Sequence, residues 1–151
     1  MGAIALCCVY GEHMANEALV AAIKDIMGLA KAGKTDEAYA AYAQLYASPA
    51  FAEYRPEDQR QALKLMVLAK GIPFPTPPPI QAAHEVAKKR LQALVDAHKE
   101  PADYEMLGMC QVKTGDEAGA ALSFKAGLDL ERERDPQSKL CGTLMKLVAS
   151  V

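Results

Sequence analysis

The sequence predicts an all-α chain of antiparallel helical hairpins, and three observations carry that expectation. Ala is abundant, Val and Ile are modest, Trp is absent and apolar residues make up 51% of the chain, a balance that favours helix over sheet. Apolar residues recur at three- and four-residue steps from Asn16 onward. Gly and Pro interrupt that pattern at intervals and leave connections so short that successive helices must lie side by side. At 151 residues the chain has the size of one ordinary domain.

The first helix is set by Leu19, Ile23, Ile26, Met27 and Ala30, with Asn16 as its N-cap. Gly33 supplies the left-handed residue that ends it, Lys31 sits in its last turn, and Thr35 or Asp36 is expected to cap the next helix. That second helix carries Ala38, Tyr42, Leu45 and Tyr46 and stops near Ser48-Pro49. Pro56 opens the third, with Glu57 and Asp58 at the positive end of its dipole; Leu63, Met66, Val67 and Leu68 make its apolar side, and Gly71 marks its end. Five prolines between Pro73 and Pro79 forbid helix and favour extended polyproline II, read as a stiff loop whose Phe74 tucks back onto the helices. A fourth helix runs from about Ile80 to Lys99 on Ala83, Val86, Ala87, Leu91, Leu94 and Val95. Pro101 breaks the chain, helices five and six meet at Thr114-Gly115-Asp116, and "ERERDPQ" closes the sixth. A last helix from about Ser138 aligns Leu140, Leu144, Leu147, Val148 and Val151.

Composition excludes several function classes. A formal net charge of -2 lacks the basic face a general nucleic-acid binder needs, and 6% aromatics leave little for base stacking, so no nucleic-acid partner is expected. No run of about 18 apolar residues exists, so no membrane span is expected. Cys7, Cys8, Cys110 and Cys141 form no CxxC pair and no cluster with His at metal-ligand spacing; reduced thiols and a cytoplasmic chain follow. Residues 1–13 stand apart. His13-Met14 matches the remnant of a common cloning junction, and "MANEALVAAIKD" reads as a natural start, so a vector-derived or fused leader is one reading. A native apolar arm packed on the first helix is a second, and lipid attachment at Cys7 and Cys8 a third. Residues 14–151 then form a single helical domain with hairpins over about 16–48, 56–99 and 101–134 and a closing helix over about 138–150.

The stretch "YEMLGMCQVKTGDEAGAALSFKAG", residues 104–127, resembles a tetratricopeptide repeat. Tyr104 stands at the family's Trp, Leu107-Gly108 at its Leu-Gly, Gly115-Asp116 at its turn, Ala120 at its small residue and Phe124 at its aromatic. Gln111 replaces the usual Tyr, and Gly127 the usual Ala. Two weaker copies precede it: one around Gly33, Ala38, Tyr42 and Pro49, the other on Leu63 and Val67 with Ala87, Leu91 and Leu94, split by the proline loop. The resemblance implies a short right-handed superhelix of three stacked hairpins with a C-terminal capping helix, and larger side chains such as Phe124 filling the gaps beside Gly108 and Ala120.

It also implies which residues line the inner face: Val20, Ile23, Met27 and Lys31 in the first hairpin; Asp58, Gln61, Leu65, Leu68 and Ala69 in the second; Ala102, Glu105, Met109, Val112 and Lys113 in the third. Some family members grip a partner's terminal carboxylate there with Lys, Asn and Arg. Glu105 and Met109 replace such residues here, so the expected ligand is an apolar or helical segment of a protein. The alternative cover for this face is the N-terminal arm, the proline loop or a second copy of the chain. His84 and His98 lie too far apart along one helix to share a metal and are expected at the surface or its boundary, while Cys110 and Cys141 fit as buried small apolar residues. No phosphate loop, nucleophile elbow or paired acid/base spacing appears, so no catalytic residue, metal or cofactor is expected. The functional expectation is a non-catalytic protein–protein interaction module. The alternatives are a helical domain enclosing a small apolar ligand and a self-associating subunit of an enzyme complex, with a homodimer as the partner arrangement.

Overall fold

A computed structural model describes residues 16–151 of the chain. Those residues form eight helices and no strand: α1 (Glu17–Lys31), α2 (Thr35–Ala47), α3 (Pro49–Glu53), α4 (Pro56–Val67), α5 (Pro78–His98), α6 (Pro101–Lys113), α7 (Glu117–Arg134) and α8 (Lys139–Ser150). The readings placed on residues 1–13 lie outside the described part.

Helix ends follow local chemistry. Asn16 Oδ1 accepts from Leu19 N at 3.0 Å, Asp116 Oδ1 from Gly119 N at 2.9 Å and Ser138 Oγ from Cys141 N at 3.0 Å, each satisfying a donor that the first turn leaves free. Pro56 and Pro101 each sit in a first turn, where the missing N–H costs nothing. The α1–α2 and α6–α7 turns use the same device. Gly33 and Gly115 adopt φ of 78° and 85°, and the next residue donates back five positions, Lys34 N to Leu29 O and Asp116 N to Gln111 O.

Several local expectations are corrected. Thr35 is the first residue of α2 rather than its cap, and the preceding Lys34 makes no side-chain capping bond. The five-residue α3 was not expected; Phe51 fixes it by burying completely against Tyr46 and Tyr54. The proline segment is bent at Phe74-Pro75, a cis peptide bond, rather than uniformly extended, and Pro78 and Pro79 already belong to α5. Phe74 does not tuck back: it is 92% exposed. His84 is fully buried rather than at the surface.

The most extensive helix contact among the described residues joins α6 and α7, which run antiparallel, with Gly108 against Phe124 near the middle and Gln111 bonded to Ser123 near one end. α2 packs chiefly on α5, and α5 on α6, so α5 lies between two neighbours. α4 touches α5 and α6 only lightly but is tied to α2 by Tyr46 Oη, which donates to Ala62 O at 2.9 Å. Gln59 Nε2 donates to Tyr54 O at 2.8 Å and holds the end of α3 against α4. Arg90 on α5 donates Nε to Tyr46 O at 2.6 Å, a carbonyl in the last turn of α2, and Nη2 to Ser48 O at 3.3 Å, which also accepts from Phe51 N at 3.0 Å.

Buried side chains form two clusters. The larger joins α1 to α6, with Leu19, Tyr46, Phe51, Leu63 and Leu91 among its fully buried members. The smaller joins α7 and α8 through Ala120, Phe124, Leu128, Cys141 and Leu144.

Candidate functional site

α4, α6 and α8 enclose a cleft of about 760 Å³. α4 contributes Glu57, Arg60, Gln61 and Lys64, followed by Leu68 just past its end; α6 contributes Ala102, Asp103, Glu105 and Met106; α8 contributes Lys139, Leu140 and Thr143. The walls are mixed. Leu68, Met106 and Leu140 provide apolar surface, and side chains of both signs surround it.

One ion pair organises the cleft. Arg60 Nε lies 3.0 and 2.9 Å from the two oxygens of Asp103, joining α4 to α6 across 43 residues of sequence. Asp103 has no exposed surface and Arg60 retains 23%. Burial pushes the Asp103 carboxyl above the usual carboxylate range, and the Arg60 bond and charge pull it back. Arg60 Nη2 is enclosed and meets no acceptor among the described residues. Glu105 is also raised by burial, with the Lys64 charge opposing the shift. A buried pair of this kind is costly to break from one side, so its effect is to hold two helices in register.

The expected inner-face residues separate on inspection. Gln61, Leu68, Ala102 and Glu105 converge on the cleft. Ile23 does not belong to any accessible face: it is 3% exposed and packs in the larger core with Leu19 and Ile26. Asp58 is likewise buried, held by Arg55 at 3.1 Å. Val20 is half-buried, and Met27, Lys31 and Leu65 are exposed outside the cleft. On α6, Met109 is half-buried between the two cores, Val112 is exposed and Lys113 is half-buried, none of them lining the cleft.

The expectation missed Arg60, Asp103 and the whole contribution of α8. Asp103 lies in the first turn of α6 and Arg60 in α4, and nothing local in the sequence links them. α8 was expected only to shield the end of the array, yet Lys139, Leu140 and Thr143 form one wall.

Cys110 and Cys141 are buried and unpaired with one another, as their apolar settings suggested. Burial pushes the Cys110 thiol up to about 12. Among the described residues, no group of three His, Cys, Asp or Glu is placed to hold a metal ion, and no helix is long and apolar enough to cross a membrane. Comparison with protein-family models, with curated proteins and with solved structures finds no match for this chain.

Proposed function

We propose that this chain is a non-catalytic interaction module whose α4/α6/α8 cleft receives a short segment of another polypeptide. The observation that carries the reading is the cleft's construction. Three helices distant in sequence converge, leave apolar wall at Leu68, Met106 and Leu140, and surround it with charges that can fix the register of a peptide. Its most deeply buried charge, on Asp103, is committed to Arg60, which suits a rigid receptor more than acid–base chemistry. The charged walls also disfavour a small apolar ligand.

The tetratricopeptide resemblance belongs to the same proposal. Its support is the packing of Gly108 under Phe124, the burial of Ala120, the left-handed Gly115 and the position of α8 against α7. The light contact between α4 and α5, separated by the proline loop, is where the chain departs from a closed hairpin. A cytoplasmic setting for the module follows from the reduced thiols read from the sequence.

Ala102 is exposed and lines the cleft from the first turn of α6, so Ala102→Trp fills the cleft without disturbing either core. Peptides selected on the wild-type chain by phage display are expected to lose binding to Ala102→Trp. Peptides that bind the variant equally well, at unchanged thermal stability, sink the proposal.

A further inference from the structure

We propose that the occupant of the cleft is the Phe74 tip of a second copy of this chain, exchanged reciprocally in a two-fold dimer; this rests on the cleft being a docking site. Single exposed apolar side chains are common and carry little by themselves. The mounting of Phe74 is what distinguishes it. Ile72 on one side and Thr76 and Pro77 on the other are half-buried, so both feet of the loop are held, while Pro73, Phe74 and Pro75 are exposed. Fixed φ at Pro73 and Pro75 stiffens the tip. An anchor already held in place loses little conformational freedom when it binds.

The backbone of the tip narrows the mode of recognition. Pro73, Pro75 and Pro77 strip the N–H groups from one edge of the segment and the chain bends at Phe74 and Pro75, which disfavours strand pairing and leaves the exposed phenyl ring as the recognised element. The same molecule supplies a receptor with apolar walls at Leu68, Met106 and Leu140. Tip and receptor are also neighbours. Phe74 follows Leu68 by six residues, at most about 20 Å of extended chain. With both features that close, a two-fold axis between two copies satisfies both insertions at once and closes the assembly. The one charge of segment 69–79 is Lys70, which is exposed. It meets a cleft holding Glu57 and Glu105, neither in an ion pair among the described residues, alongside Lys64 and Lys139.

Two inserted phenyl rings and the walls they cover bury on the order of 800 Å² in total, at the low end for a specific contact, so the dimer is weak and reversible. Sedimentation velocity of the full chain from roughly 10 μM to 1 mM, a range suited to such an affinity, is expected to show a monomer–dimer equilibrium. Phe74→Ala and Ala102→Trp, both at exposed positions and checked by thermal melting, are each expected to weaken it by about tenfold or more. Mixing the two variants is expected to restore part of the association, because the tip of the Ala102→Trp chain meets an open cleft on the Phe74→Ala chain. A wild-type chain that stays monomeric, a dimer indifferent to Phe74→Ala, or a variant mixture that remains monomeric overturns the exchange. A synthetic peptide of residues 70–79 separates the two proposals. If the wild-type chain is monomeric but the peptide binds it and not Ala102→Trp, the cleft is a docking site and self-pairing fails. If selected peptides bind Ala102→Trp undiminished, the cleft reading fails instead.

Discussion

The ring of Phe124 lies directly over Gly108, and a Cβ added to that glycine would clash with three of the ring's carbons. The α6–α7 contact, the most extensive helix pairing among the described residues, depends on this absence of a side chain. Gly127 makes a second such contact, where an added Cβ would sit 2.9 Å from Tyr104 Cβ.

Gly108→Ala is therefore expected to destabilise the chain by about 1–3 kcal/mol, read by urea unfolding. A double-mutant cycle with Phe124→Leu identifies the cause, since the smaller side chain should relieve most of the cost. Strictly additive effects would show that the clash is not the origin.

His84 predicts acid sensitivity. Its Nδ1–H donates to Ile80 O at 2.7 Å, which leaves Nε2 a buried lone pair without a partner among the described residues. The ring stacks on Tyr39 with centroids 6.4 Å apart. Burial lowers its pKa below 6.5, aided by the Lys113 charge and opposed by the Ile80 bond. The unfolded chain thus binds the proton more readily than the folded one. Stability is full above pH 6.5 and falls as pH drops below it, by up to about 1.4 kcal/mol per pH unit. Asp103 and Glu105 act in the opposite sense, because their raised folded pKa values favour protonation in the folded state, and only in the carboxylate range. His84→Gln should flatten the profile between pH 6.5 and 5; an unchanged slope would remove His84 as its source.

Cys110 is expected to resist alkylation. With its thiol pushed up to about 12, the thiolate fraction at pH 8 is lower than that of a free cysteine by on the order of a thousandfold. Iodoacetamide labelling followed by mass spectrometry of the Cys110 peptide should show native protection that denaturant abolishes. Rapid native labelling at this residue would contradict the packing.

Arg90 closes the end of α2 with two nitrogens at once, a geometry that a lysine ammonium cannot reproduce. Arg90→Lys should lower stability by about 1 kcal/mol and Arg90→Met by slightly more. Equal stability of Arg90→Lys and wild type in urea titrations would show that Tyr46 O finds another donor.

Much of the helical pattern was legible because its determinants are local. Asn16, Asp116 and Ser138 cap the helices they precede, and Gly33 and Gly115 turn the chain where no other residue does so without strain. α3 was hidden because five residues are too few to show a period. His84 was misplaced by residue type although its spacing was informative: Ile80, His84, Ala87 and Leu91 form one buried stripe of α5. Ile23 falls in the same way between Leu19 and Ile26. The cleft was legible only through Gln61, Leu68, Ala102 and Glu105. Arg60 and Asp103 are joined by tertiary packing alone, and no periodicity connects residues 43 apart.

The division of the interior into two clusters has a consequence for cooperativity. Among the described residues, Met109 is the one half-buried apolar side chain that packs against both. α7 is nevertheless held on α6 by Phe124 over Gly108 and by Ser123 on Gln111, whereas α8 packs chiefly on α7, so α8 is the element that can open as a foldon while α1 to α7 stay closed. Hydrogen exchange should then show a lower opening free energy for the amides of α8. Loss of α8 from its place would dismantle one wall of the cleft and leave the rest of the molecule standing, so occupancy of the cleft and the local stability of α8 are thermodynamically linked.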